Sequence, residues 1–342
     1  MKKSVRVKLV AIILIVSLIL LIGASLASGA AGISLKQAVA ILASGPASKS
    51  SELFSLAQHR IIWSLRFPRA LSAALAGALL AAAGMVFQAL FRNPMADPYV
   101  LGISSGAAFG VSLAAFILPA AIPLGLYHIP VAAFMGAMGT ALIIIVLSGG
   151  RHGSPHTLLL SGIALNFFLS ALMTLLMYLN RSQLQFILQW TLGSFSSATW
   201  QKLSILSVCA VVGLIPVVFF TRELDIMLLD EASALSVGVS VKAIRFVLLL
   251  SVTLFASATV AFCGIIGFVG LMVPHIIRFA TGPRHGSLLP LSLLGGASLA
   301  LASDLIAKTA VAPSELPVGI ITALAGSPLF FLLLMQSRRR NR

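Results

Sequence analysis

From Pro98 to Gly150 the chain carries no Asp, Glu, Lys or Arg. Further uncharged apolar runs recur along its length, most near the roughly 20 residues that a helix needs to cross the hydrocarbon of a bilayer. A chain of 342 residues that is 59% hydrophobic and 9% charged, with a mean hydropathy of +1.08, cannot hide so much apolar surface in a soluble core. Membrane barrels are built from alternating strands of about ten residues, whereas these runs are continuous and rich in Leu, Ala and Gly. The expected fold class is an all-α integral membrane protein, embedded in lipid, with about ten transmembrane helices. The longest hydrophilic stretch, Gly29 to Arg69, is too short and too mixed for a core of its own. No internal repeat is visible, so residues 1–342 read as a single transmembrane domain.

The expected spans are Leu9 to Ala27, Ala70 to Phe91, two within Pro98 to Gly150, Thr157 to Tyr178, Leu203 to Phe220, two around Phe246 to Ile277, Leu288 to about Ile306, and Pro317 to Met335. The cluster Pro119 to Pro130 divides the third span from the fourth, and Gly264 with Gly267 divides the seventh from the eighth. An even number of crossings places both termini on one side. Short cytoplasmic loops carry excess Lys and Arg. With the termini cytoplasmic, fifteen of the 23 basic residues lie inside. Five of the others, Lys36, Lys49, Arg60, Arg66 and Arg69, share the one long outer segment after the first span. Lys2 to Lys8 followed by an apolar core could alternatively be a secretory signal, although that core is longer than signal sequences usually have. The net charge of +15 is explained by basic residues at span ends and by lipid headgroups, not by nucleic acid. Cys209 and Cys263 both lie in apolar runs, which supports neither a disulfide framework nor a metal cluster.

Several motifs admit two readings. Gly102, Gly106 and Gly110 recur every fourth residue, the spacing that lets helix backbones approach closely in lipid. The same letters fit a nucleophile elbow, but that needs a strand and a soluble sheet around it. Asn166, Ser170, Thr174 and Tyr178 form a polar stripe on the fifth span. It serves either interhelical hydrogen bonds or a hydrated path. Gln183 to Gln201, with Trp190 and Trp200 and a break at Leu192–Ser194, suits an interfacial or re-entrant helix. His275 after Pro274 reads as a hydrogen bonder at a kink rather than as a metal or heme ligand, and Asp304 as a group close to water or a structural partner of Lys308 four residues on. Neither supplies a catalytic group or a metal site.

Thr221 to Lys242 gathers Glu223, Asp225, Asp230 and Glu231, half of the eight acidic residues, on the side where lysines should dominate. Its apolar residues do not make a span. Residues 221–242 read as an amphipathic cytoplasmic segment that docks on a partner. A phosphate-binding loop of the form Gly-x-x-x-x-Gly-Lys-Ser/Thr does not occur, so any ATP would be hydrolysed by another chain.

Arg66-Phe67-Pro68-Arg69, Gly84-Met85-Val86-Phe87-Gln88, Asn93-Pro94-Met95-Ala96-Asp97-Pro98, Leu101 to Ala107, Gly267 to His275 and Glu315-Leu316-Pro317-Val318-Gly319 together resemble the FecCD/BtuC-type permeases over nearly the whole chain. These are membrane subunits of ABC importers for ferric siderophores, heme and vitamin B12. The resemblance implies ten helices, a homodimer, two ATP-binding cassette subunits that use ATP and Mg, and an extracytoplasmic substrate-binding protein, in the cytoplasmic (inner) membrane of a prokaryote. No cofactor is expected on this chain itself. Asp230, Glu231, Ala234, Gly238 and Val239 fall in the segment similar to the family's coupling helices, with departures at Asp230 and Val237. Arg66 and Arg69 match its outer basic docking pair, and Lys308 stands near a third docking position where arginine is frequent. Asn166, Ser170, Thr174 and Trp190 are the expected translocation path under ATP-driven alternating access. A ferric siderophore is the expected cargo, with heme or cobalamin as alternatives. The rival class, an ion-coupled secondary transporter, would need carboxylates or broken helices at the midplane.

Overall fold

A computed structural model describes residues 3–29, 31–47, 53–117, 127–150, 154–228 and 240–340. Within them the chain is helical, in the order α1 Lys3–Ala27, α2 Leu35–Ser44, α3 Leu56–Arg60, α4 Phe67–Leu90, α5 Ile103–Ile117, α6 His128–Leu147 and α7 Pro155–Leu179. There follow α8 Leu184–Thr191, α9 Trp200–Phe219, α10 Thr221–Met227, α11 Val241–Cys263, α12 Val269–Thr281, α13 His285–Thr309 and α14 Val318–Arg340.

The ten expected span segments are all helical, but they do not all cross by their own length. Among the described residues, seven continuous helices are long and apolar enough to cross a membrane. Three expected spans are not among them: the tenth, α14, whose apolar part runs over Val318–Pro328, and the third and eighth, which fall short by length. At 15 residues in α5 and 13 in α12, they reach only about 22 and 20 Å of a hydrocarbon core about 30 Å thick. Backbone chemistry shortens both. Pro98–Leu101 winds as a 3₁₀ turn that Asp97 caps by accepting the Tyr99 N–H, and Gly102 then turns left-handed (φ 71°) before α5 can start. Ahead of α12 the chain leaves α11 at Gly264 (φ 71°) and passes Phe268 at φ 68°.

The core is built around α4. Nearly every residue from Ala70 to Leu90 is buried, because alanines and glycines let neighbouring backbones come close. A side chain at Gly77 would run into the Gly296 carbonyl of α13, and one at Gly84 into the Gly270 carbonyl of α12. A second pair, α5 and α6, packs in the same way through Gly106, Gly110 and Gly136. Gly106 and Gly110 therefore sit at a close helix crossing. Gly102 is the turn residue ahead of α5, and it also lies against α6, where a side chain would meet Thr140. By contrast α1, α7 and α9 turn broad apolar faces outward, with Phe167 at 75% and Phe219 at 77% exposure, as helices bordering lipid or a partner must.

The stretch from Gly29 to Arg69 differs from the expectation that it forms no core. Ser34 with Gln37 and Ser55 with Gln58 make reciprocal capping boxes that start α2 and α3. Ile33, Ala38, Ile41, Phe54 and Ile62 then bury a small satellite cluster with Leu26 of α1. Trp63, Phe67 and Trp200 pack ring against ring beside it, and the Trp200 indole N–H donates to the Trp63 carbonyl at 2.7 Å. Helix α3 runs into α4 through a π-helical turn, Ile61–Arg66. That wider turn accommodates Pro68, which has no N–H to give.

Candidate docking basin and translocation cavity

Arg66, Arg69 and Lys308 converge on one open basin of about 830 Å³ at one end of the helices. Distant segments bring them together: the two arginines enter α4, and Lys308 ends α13. Each cation already has intramolecular partners. The Arg66 guanidinium donates to the carbonyls of Leu26 (2.6 Å) and Ala27 (3.0 Å). Lys308 donates to the Ser25 carbonyl at 2.7 Å and to the Ser25 hydroxyl oxygen at 2.9 Å. Both therefore close the C-terminal end of α1, where unpaired carbonyls and the negative end of the helix dipole favour cations.

Arg69 makes the strongest contact. Its Nε and Nη2 grip Asp304 at 2.8–3.1 Å, and its Nη1 reaches Glu315 at 2.9 Å. Asp304 is fully buried, while Glu315 is 41% exposed. A carboxylate removed from water needs such a forked partner. The expected Asp304–Lys308 pair is thus corrected. The guanidinium fork of Arg69 takes the carboxylate, and Lys308 turns to α1 instead.

A second cavity of about 600 Å³ adjoins the basin, lined by Trp190, Phe186, Ser194, Phe262 and Pro317. Glu315 and Ser196 border both spaces. The cavity wall is a backbone junction. Ser194 N–H donates to the Cys263 carbonyl, while Val318 and Gly319 N–H groups donate to Gly193 and Leu192. The first amides of α14, which no turn of its own helix can satisfy, are thereby held by the turn after α8. Gly193 (φ 70°) and Gly264 (φ 71°) make that approach possible, since a side chain at either would strike the facing backbone. Within Gln183 to Gln201, the stretch expected to be interfacial or re-entrant, lie the short α8, this turn and the start of α9.

Of the expected path residues, Trp190 is the one that lines the cavity among the described residues. Asn166 lies against α5, where it meets the Ser105 hydroxyl. Ser170 and Thr174 are exposed on α7, with the Thr174 hydroxyl bonded back to the Ser170 carbonyl at 2.9 Å. His275 is partly buried in α12 beside Pro274. Among the described residues no group of three His, Cys, Asp or Glu side chains could hold a metal ion, and Cys209 and Cys263 are free thiols.

The opposite end of α13 carries different chemistry. The Asp225 carboxylate of α10 accepts both the backbone N–H (2.8 Å) and the ring Nδ1–H (2.7 Å) of His285, the first residue of α13. Nearby, Arg92 donates to the Met227 carbonyl at 3.0 Å. These contacts anchor α10, which leads into the acidic connector. Asp230, Glu231, Ala234, Gly238 and Val239 lie outside the described residues.

The FecCD transport family matches residues 15–336. The chain belongs to that family. It is 42% identical over 285 residues, 82% of this chain and 85% of the relative, to the hemin transport system permease protein HmuU of Yersinia pestis. It is 37% identical over 295 residues, 85% of this chain and 87% of the relative, to the vitamin B12 import system permease protein BtuC of Klebsiella pneumoniae. Its fold superposes with TM-score 0.81, at 31% identity, on a metal-chelate type ABC transporter solved in an inward-facing conformation, covering 96% of this chain and 99% of that one. The chain is accordingly an ABC importer permease, a multi-pass membrane subunit with the BtuC-like arrangement of helices.

The carboxylates that pair with Arg69 were not visible in the sequence. Asp304 and Glu315 lie 235 and 246 residues from Arg69. One signal pointed their way: a membrane chain with only eight acidic residues must provide a partner for each one it buries.

Proposed function

We propose that this permease imports a metal chelate, a ferric siderophore or heme, by ATP-driven alternating access between two copies of the chain, with cobalamin as the alternative cargo. The convergence of Arg66, Arg69 and Lys308 on one basin carries the reading. Three cations against the two carboxylates Asp304 and Glu315 leave the basin electropositive, which suits an acidic soluble carrier. In this reading the basin faces outward and receives a substrate-binding protein, while both termini and residues 221–242 face the cytoplasm. There Asp230, Glu231, Ala234, Gly238 and Val239 meet two ATPase subunits, which bind ATP and Mg. Bulky aromatic walls with few charges, around Trp190, Phe186 and Phe262, suit a large chelate whose metal is already wrapped by its own ligand. Affinity then resides in the carrier.

The test is uptake by the assembled complex in proteoliposomes with the doubly substituted Arg66→Gln/Lys308→Gln chain. Glutamine keeps N–H donors for the α1 carbonyls but removes both charges. Uptake and carrier-stimulated ATP hydrolysis should fall about tenfold or more, with assembly intact; unchanged transport would reject the docking role. Offering ferric hydroxamate, hemin and cobalamin in turn decides the cargo.

A further inference from the structure

We propose that Glu315 is a resident stand-in for the carrier's carboxylate: it occupies Arg69 in the undocked permease and is displaced when an acidic side chain of the carrier arrives. This rests on the docking role proposed for the basin.

The two carboxylates on Arg69 are not equivalent. Asp304, fully buried, takes the Nε and Nη2 edge of the guanidinium. It has no water to return to, so leaving Arg69 would strand a charge in the protein interior. Glu315 takes Nη1 through one hydrogen bond from the open side. A half-exposed pair of this kind contributes little and exchanges readily with another carboxylate of the same chemistry. Glu315 takes one of the two Nη1 N–H groups on the open side of the guanidinium, so an incoming carboxylate that forks onto that side meets Glu315 at Nη1.

Displacement would be felt beyond the basin. Glu315 borders both the basin and the Trp190 cavity. Directly after it, Leu316 N–H holds the Ala307 carbonyl, and Val318 and Gly319 N–H groups hold Gly193 and Leu192. Three residues thus connect the exchangeable ion pair to the backbone junction that forms the cavity wall. Moving Glu315 pulls on the first turn of α14 and, through it, on the turn that follows Trp190. Docking is thereby converted into loosening of the wall between carrier and cavity.

The experiment uses the full permease–ATPase complex in nanodiscs, with the binding protein of the same transport system as probe. Carrier affinity and amide hydrogen exchange of the 312–322 peptide are measured for the wild-type, Glu315→Gln, Glu315→Asp and Lys308→Gln chains. Glu315→Gln should bind the carrier about fivefold more tightly. Its 312–322 amides should exchange before docking as fast as wild-type amides do after it. Glu315→Asp, which keeps the charge, should return exchange toward the undocked wild-type level. Tighter binding without the change in exchange would reduce Glu315 to a bystander charge and overturn the proposal, as would unchanged or weaker binding. The Lys308 hydrogen bonds go to Ser25 and not to Glu315, so Lys308→Gln lowers the basin charge while leaving the Arg69–Glu315 bond in place. If it weakens docking while Glu315→Gln fails to tighten it, only the stand-in role falls. If Lys308→Gln and raised salt both leave docking unchanged, the basin itself is not the docking site.

Discussion

The two ends of α13 are built from similar ingredients to different effect. At its start, one carboxylate from α10 meets one histidine and one helix N-terminus, and Arg92 takes a single carbonyl. At its end, three cations face two carboxylates. The first arrangement places both of its described hydrogen bonds between Asp225 and His285, so it works as a joint that ties α10 to the helix. The second retains a surplus positive charge at an open surface, so it can accept a further anion. Between them, 25 residues of helix cover about 37 Å, wedged against α4 at Gly77 and Gly296. A stiff element with a closed joint at one end and an open one at the other suits a protein that must relate events on two sides of a membrane.

The largest effect should come from Arg69→Ala, which strands the buried Asp304. A loss of about 3–5 kcal/mol is expected, read as a collapse of thermal stability in detergent. Adding Asp304→Asn should recover much of it. If Arg69→Ala alone leaves stability intact, the basin end is not held by that pair. Next comes Gly77→Val, which forces α4 and α13 apart between the two ends. Overpacking of this kind costs about 1–3 kcal/mol or more, and transport should fall together with melting temperature. A fully active, stable Gly77→Val chain would show that the two ends are not joined by a rigid contact. Asp225→Ala should cost about 1–2 kcal/mol, since it removes the cap of α13 and the partner of His285. Asp225→Asn keeps an acceptor and should cost less; equal losses would mean that charge, not capping, matters at that end. The smallest effect on stability belongs to Lys308→Gln, within about 0.5 kcal/mol, although carrier docking should weaken about fivefold. The dissociation between those two readouts marks the basin as a surface for a partner.

Much of this was legible in the sequence because membranes impose a length rule. Runs such as Leu9 to Ala27 and Thr157 to Tyr178 had to be helices once composition excluded a soluble core. The shortfall of α5 and α12 was not legible from hydropathy, because Gly102 and Phe268 act through backbone dihedrals. The basic cluster Arg66–Arg69 could be singled out, and so could Lys308. Their partners could not, since contacts across more than two hundred residues leave no local periodicity. The i,i+4 geometry that suggested Asp304 with Lys308 was sound for an isolated helix. It lost to a buried bidentate fork from α4. Asn166 shows the same limit: its stripe on α7 was visible, but only packing decided that this residue meets Ser105.

Sidedness tests the central claim most directly. In a Cys209→Ser/Cys263→Ser background, single cysteines at Ser314 beside the basin and at Ser240 near the end of the 221–242 connector are both exposed positions. Intact cells treated with a membrane-impermeant maleimide should label Ser314→Cys and spare Ser240→Cys until the membrane is opened. Labelling of Ser240→Cys in intact cells, with Ser314→Cys protected, would place the connector outside and contradict the account.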